Sequence, residues 1–197
     1  MTGQDFEFSP KRVLVACERS GVVRDAFICC GHHAVSCDVV PTMSPGPHVV
    51  CDVLNLLDDG WDMMIAFPPC TDLSKAGSRY FPQKISDGRV DKAVSFVKAL
   101  RNAPIPRICI ENPIGLLSKR LRRPTQIIQP FQFGDPYIKS TCLWLYNLPR
   151  LVPSNVVEPS KGHWVDGGHG GLHRDPVKRA LTFPGVALAM ARQWGSL

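Results

Sequence analysis

No run of about eighteen apolar residues occurs anywhere in the 197-residue sequence, so hydropathy gives no membrane-spanning helix. The polar opening from Met1 to Arg12 lacks the apolar stretch of a secretory signal, and the expected location is the cytoplasm. Eight cysteines are too few for a disulfide scaffold and fall inside apolar runs rather than at loop spacings, which points to reduced thiols. There is no internal repeat and no low-complexity tail. There is no GxGxxG either, which argues against a dinucleotide pyrophosphate site and for a cofactor without phosphates. Acidic residues are in mild deficit: 17 Asp and Glu against 23 Lys and Arg give a net charge of +6, which favours an anionic partner such as nucleic acid or a nucleotide. The densest basic run, Lys119-Arg120-Leu121-Arg122-Arg123, reads either as a phosphate contact or as a solvated face.

What is present alternates between buried strands and helices. Val13-Leu14-Val15-Ala16-Cys17 is a short continuous apolar run, the pattern of a strand covered on both faces in a parallel sheet. A helix follows, with Ser20 as its expected cap, Val23, Ala26, Phe27 and Cys30 on one face, and Gly31 at its end. Ala34-Val35-Ser36-Cys37 then leads to Asp38, completing a strand-helix-strand unit. Val49-Val50-Cys51 before Asp52 and Met63-Met64-Ile65-Ala66-Phe67 before Pro68 read as further strands joined by a short loop. Val90, Ala93, Val94, Val97 and Leu100 recur at helical spacing behind Ser86 or Asp87 as cap, and Arg107-Ile108-Cys109-Ile110 forms another buried strand. The order is that of an α/β fold with a mostly parallel sheet in a single domain.

The second half is weaker in pattern. Eleven of the eighteen prolines lie beyond residue 103, so it is expected to be loop-rich, with Thr141 to Tyr146 its clearest strand. The division expected is a core over about 12–150, a loop-rich segment over about 151–181 and a closing helix over about 183–194. That helix carries Val186, Ala187, Met190 and Trp194 on one face, with Thr182 as cap, Pro184 near its start and Gly195 past its end.

In a doubly wound sheet, ligands sit beyond the carboxyl ends of the strands. Here those positions hold Cys17-Glu18-Arg19-Ser20-Gly21, Asp38, Asp52, Pro68-Pro69-Cys70 and Glu111-Asn112. The turn at Ser20-Gly21 permits close approach of a ligand to the backbone. Asp38 lies about twenty residues beyond Glu18, the offset at which an acid can hold ribose hydroxyls. Two prolines fix the chain right after a strand and display Cys70, a nucleophile if its thiolate is stabilised and otherwise a small apolar side chain.

Pro68-Pro69-Cys70 with Ser74 and Gly77, followed by Glu111-Asn112 with Gly115-Leu116, resembles the catalytic motifs of DNA cytosine-5 methyltransferases, in the same order. The resemblance spans most of residues 12–195 and implies a Rossmann-like, S-adenosylmethionine-dependent methyltransferase fold. It implies Cys70, Glu111 and Asn112 as catalytic residues. Val13 to Gly21 is similar to the first cofactor motif, with Cys17, Glu18, Ser20 and Gly21 at the cofactor. Asp38 matches the ribose-binding acid, Asp52 the acid that meets the adenine, and Pro68 a further cofactor contact. Phe133-Gly134 through Lys139-Ser140-Thr141 is similar to the later substrate motif, which puts Ser74, Lys139 and Thr141 at the substrate, and Thr182 to Gly195 is similar to the closing helix.

The sequence also departs from that family. Paired glycines are missing from the first motif, Pro113 follows Asn112 where valine is usual, and Lys139-Ser140-Thr141 stands where arginines are expected. Only about forty residues separate Thr141 from the closing helix, where the family places a large target-recognition region. The chain therefore reads as a short form, and reading bases in a duplex groove calls for an element it lacks. DNA, single-stranded or duplex, is the expected substrate, with a separate recognition subunit or a homo-oligomer as the source of target choice. The alternatives are a free cytosine nucleotide, its phosphate held by Lys139, Arg174, Lys178 or Arg179, and a non-catalytic nucleotide or nucleic-acid binder of the same fold.

No metal is expected. Cys29, Cys30, His32 and His33 are too close together at a helix end to converge on one ion. His163, His169 and His173 lie in a glycine-rich stretch and read as solvated or substrate-phosphate contacts.

Overall fold

The computed structural model describes residues 9–160 and 180–197. Its centre is a seven-stranded sheet built on the apolar runs. β1 (Arg12–Ala16), β2 (His33–Asp38), β3 (His48–Val50), β4 (Met63–Ala66) and β5 (Arg107–Pro113) are joined by parallel pairings. β6 (Gln126–Ile128) and β7 (Thr141–Tyr146) add an antiparallel edge, and the spatial order is β3-β2-β1-β4-β5-β7-β6. Since β2 leaves β1 on one side and β4 lies on the other, the crevice for a ligand opens between β1 and β4 at their carboxyl ends. The mostly parallel α/β sheet is thus the one read from the sequence.

Alternation along each strand divides the core. Val13, Val15, Met63, Ile65, Cys109, Leu143 and Leu145 bury against α1 (Val22–Cys29) and the closing helix α5 (Pro184–Trp194). Leu14, Ala16, Met64, Ala66, Ile108, Ile110 and Trp144 bury against α3 (Arg89–Arg101), through Val90, Val94, Val97 and Leu100. Strands covered on both faces explain why their sequences are continuous rather than alternating apolar runs.

Several local expectations are corrected. The cap of α1 is Gly21 rather than Ser20, in a left-handed conformation (φ 83°), although the Ser20 hydroxyl still accepts from the Val22 amide at 3.2 Å. A Cβ on Gly21 would come within 2.5 Å of the Arg24 guanidinium, so bulk as well as conformation demands glycine. The cap of α3 is Gly88, while Asp87 accepts from the Arg89 amide and holds its side chain. Phe183, not Thr182, caps α5 and offers no side-chain hydrogen bond; Pro184 fixes the first turn instead. The link between β3 and β4 is not plain loop but holds a 3-10 turn over Val53–Leu56, capped by the Asp52 carboxylate, which accepts from the Leu54 amide.

The short helix α4 (Leu117–Arg120) and strand β6 interrupt the half expected to be loop-rich, and a further short helix, α2 (Phe81–Ser86), precedes α3. Of the basic run, Arg122 is tied inward, donating to the Leu145 carbonyl at 2.8 Å and stacking on Tyr146. The stretch 161–179, with His163, His169, His173, Arg174, Lys178 and Arg179, lies outside the described residues. None of the described helices is long and apolar enough to cross a membrane.

Candidate active site

Parallel pairing puts the carboxyl ends of β1, β2, β3 and β4 on one edge of the sheet, and the residues singled out in the sequence follow there. Cys17 comes directly after β1 with a left-handed backbone (φ 57°), which turns the chain sharply into Glu18. Its thiol is pushed up to about 12 by burial first and then by the charges of Asp38, Cys37 and Asp52, so it is held neutral beside the two acids. Asp38 ends β2 half-buried and accepts from the Val40 amide at 3.2 Å. Asp52 is exposed, with one oxygen on its 3-10 turn.

A residue that no sequence motif singles out organises this end. Arg24 is completely buried, paired with Asp25 at 2.8 Å, and donates to the hydroxyls of Ser36 and Thr42 and to the Ser44 and Pro45 carbonyls. It clamps the loop between β2 and β3 against the turn that opens α1. A Cβ on Gly46 would also strike its guanidinium, so a glycine on each side makes room for it.

The loop carrying Cys70 leaves β4 through Phe67, Pro68 and Pro69. Amides of Leu73 and Ser74 return to the Cys70 carbonyl at 3.0 and 2.8 Å, closing a tight turn. The loop is pinned from three directions. Asn112 donates from Nδ2 to the Pro68 carbonyl at 2.9 Å. Leu116 donates its amide to the Leu73 carbonyl at 2.8 Å, next to a bridge between Ser74 and Gly115. Lys84, itself buried, donates to the Thr71 carbonyl and pairs with Asp72 at 3.1 Å. Ser74 spends its oxygen on capping the following 3-10 turn, accepting from the Ala76 amide at 3.3 Å.

Glu111 and Asn112 lie inside β5, not after it, because the antiparallel partner β7 extends the strand to Pro113; Glu111 pairs with Leu143 and Pro113 with Thr141. Alternation then sends the two side chains to opposite faces. Asn112 reaches the Cys70 loop. Glu111 lines a narrow cavity with Lys139, Thr141, Phe67, Thr182 and Phe183. Glu111 keeps some open surface through that cavity, yet it lies deep among protein atoms. Burial pushes its carboxyl up, and the Lys139 charge opposes this without cancelling it.

The Lys139 ammonium donates to the Leu181 carbonyl at 3.4 Å and lies over the Phe183 ring, and Thr141 donates to the Lys139 carbonyl at 3.1 Å. The cavity holds about 20 Å³, room for a water and not for a pyrimidine ring, so a base could enter only if this wall moved.

The structure therefore brings Glu111, Lys139 and Thr141 into one cavity, and places Cys70, Ser74 and Pro68 in a loop to which Asn112 reaches from β5. The acids and turn of the first three strands gather beside them. Phe67, Thr182 and Phe183 as cavity walls, and Lys84 and Arg24 as clamps, were not anticipated. Only Phe67 carried a signal, standing between a buried strand and the double proline. Among the described residues no group of three or more His, Cys, Asp or Glu could hold a metal ion.

No protein-family model matches the chain, and no curated protein matches it. Solved structures do. An Entamoeba histolytica methyltransferase, EhMeth, superposes with a TM-score of 0.51 at 14% identity, covering 76% of this chain and 58% of that one. The S. pombe Dnmt2 methyltransferase gives 0.48 at 18%, covering 72% and 51%, and a Spodoptera frugiperda DNMT2 mutant gives 0.43 at 14%, covering 75% and 54%. This chain thus spans little more than half the length of these structures. At such identities the likeness concerns the fold: a Rossmann-like sheet of the kind found in methyltransferases.

Proposed function

We propose that the chain is a methyltransferase that places a methyl group on carbon 5 of cytosine in DNA, with S-adenosylmethionine as donor. The observation that carries this reading is the joint anchoring of two groups by adjacent residues of β5. Asn112 holds the loop of the nucleophile Cys70, and Glu111 offers a carboxyl with raised proton affinity in the next cavity. Carbon 5 of cytosine is too poor in electrons to take a methyl group unaided, so a nucleophile must first add to the ring.

In this mechanism the Cys70 sulfur, as thiolate, bonds to ring carbon 6 while Glu111 gives its proton to ring nitrogen 3, and electron density moves to carbon 5. Lys139 and Thr141, on the cavity wall, orient the ring. The bound donor supplies the methyl group, leaving as S-adenosylhomocysteine. A base, water in the absence of a dedicated side chain, then removes the carbon 5 proton. The sulfur–carbon 6 bond breaks, Cys70 leaves as thiolate, and nitrogen 3 returns its proton to Glu111.

The donor set at the ends of β1 to β4 suits an adenosyl ligand without phosphates. The half-buried Asp38 fits the ribose hydroxyls and the exposed Asp52 the adenine, while Cys17, Glu18, Ser20, Gly21 and Pro68 frame the crevice between β1 and β4. The orphaned Glu18 Oε2 in that frame also fits a ligand that brings a donor.

DNA is preferred as substrate on the resemblance of the catalytic motifs. The base must leave its stack to reach Cys70, at a cost of a few kcal/mol that is least for a single strand. The test incubates the protein with methyl-labelled S-adenosylmethionine and duplex DNA, single-stranded DNA or free cytosine nucleotides in parallel. Label in 5-methylcytosine of either DNA is expected. Label in the nucleotide alone would move the substrate to the free nucleotide. No label in a protein that binds the cofactor would favour a non-catalytic binder.

A further inference from the structure

Glu18 sits in the turn between β1 and α1 with 5% of its surface exposed. One carboxylate oxygen accepts from the Ser20 hydroxyl. The other, Oε2, is enclosed and has no hydrogen-bond partner among the described residues. Burial pushes its carboxyl up, whereas Ser20, the amides of Gly21 and Val22, and the Arg24 charge all favour the ionised form.

The amides named here are the cap and first residue of α1, an eight-residue helix, so the carboxylate faces the positive end of that helix. In folds of this architecture that is the place where phosphate-bearing adenosine ligands lay their anion. Here the protein fills it with an anion of its own. A second anion would meet like charge, whereas a cation would meet a carboxylate oxygen that has no hydrogen-bond partner among the described residues.

We propose that Glu18, held by Ser20, is the residue that selects the cofactor, its Oε2 receiving the α-ammonium of the amino-acid tail of an S-adenosyl ligand and its charge turning away adenosine ligands that carry phosphates. The inference rests on the S-adenosylmethionine reading above and deepens it by assigning one residue to one functional group.

Calorimetric titration tests it with S-adenosylhomocysteine, with 5′-methylthioadenosine, which lacks the amino-acid tail, and with ADP. Glu18→Gln is expected to weaken S-adenosylhomocysteine by about tenfold or more and 5′-methylthioadenosine by less than about twofold, as loss of one charge-assisted hydrogen bond requires. Ser20→Ala, which frees the carboxylate from its anchor, should do the same to a smaller degree, and a thermal melt checks that each variant is folded. Equal weakening of both sulfur-containing ligands would overturn the proposal, since Glu18 would then merely shape the turn. So would ADP binding the wild-type protein as tightly as S-adenosylhomocysteine. Failure of the wild-type protein to bind either sulfur-containing ligand would remove the cofactor assignment itself, a result distinct from the other two.

Discussion

Asn112 donates to the carbonyl of Pro68 across 44 positions of sequence, at 2.9 Å and out of reach of solvent. The bond joins β5 to the first residue of the double proline and so fixes where the chain stands when it reaches Cys70. Asn112→Ala leaves a buried carbonyl unpaired, at a cost of about 1–3 kcal/mol. It also frees the loop, and a displacement of about 1 Å at a reacting group can cost about a hundredfold in rate. We expect kcat to fall much further than cofactor affinity, measured by steady-state kinetics beside calorimetry.

Gly115 is a second control on the same loop. A Cβ there would lie 1.9 Å from the Leu73 carbonyl oxygen and 3.0 Å from the Ser74 Cα, both backbone atoms that cannot turn aside. Gly115→Ala must push the two segments apart and break the bond from the Leu116 amide to Leu73. The expected result is a loss of methyl transfer of about a hundredfold or more together with a lowered melting temperature. Ile114→Ala, one residue earlier at a side chain 44% exposed, should change little.

Glu111 makes a prediction about pH. Its carboxyl is raised in the folded protein, so the folded state holds a proton that the unfolded chain gives up at lower pH. Stability conferred by that proton is complete below the ordinary carboxylate range and is lost as pH rises through the folded value. Glu111→Gln, which needs no proton, should therefore raise the melting temperature at about pH 8 and much less at about pH 5. Because Lys139 holds the Glu111 value down, Lys139→Met should move the alkaline limb of the rate profile to higher pH.

Cys70→Ala and Cys70→Ser are expected to abolish transfer while leaving S-adenosylhomocysteine affinity nearly unchanged, because the role proposed for the thiol is on the base and not on the cofactor. With a cytosine analogue that blocks the final proton removal, only the wild-type protein should form an adduct that survives denaturation, read by mass spectrometry. Equal loss of catalysis and cofactor binding in both variants would make the thiol a packing residue.

The strands were legible because burial on both faces leaves continuous apolar runs in β1, β4 and β5, and α1 and α3 show their buried stripe at helical spacing. The short elements were not. α2, α4 and β6 are too brief to show a period, and β6 exists only by pairing with β7. Side-chain chemistry favours Ser20 and Thr182 as caps, whereas the helices begin after the left-handed Gly21 and at Pro184. Arg24 carries no sequence signal because its five partners, Asp25, Ser36, Thr42, Ser44 and Pro45, are brought to it by folding. The order of Cys70, Glu111 and Asn112 could be read directly, but their division between a loop and a cavity could not. It follows from the pairing of β5 with β7, a relation between residues 28 to 38 positions apart.

The packing of α1 against α5 has a kinetic side. Cys70, Glu111 and the Glu18 turn all lie before residue 113, whereas Lys139, Thr182 and Phe183, which wall the cavity, come much later in the chain. During synthesis the early strands can pair while the face of α1 that bears Val23 and Phe27 still waits for Met190 and Trp194. Contacts so far apart in sequence form late and slowly. On the proposed reading, methyl transfer therefore requires α5 to dock on α1, because the cavity beside Glu111 is walled by residues next to that helix.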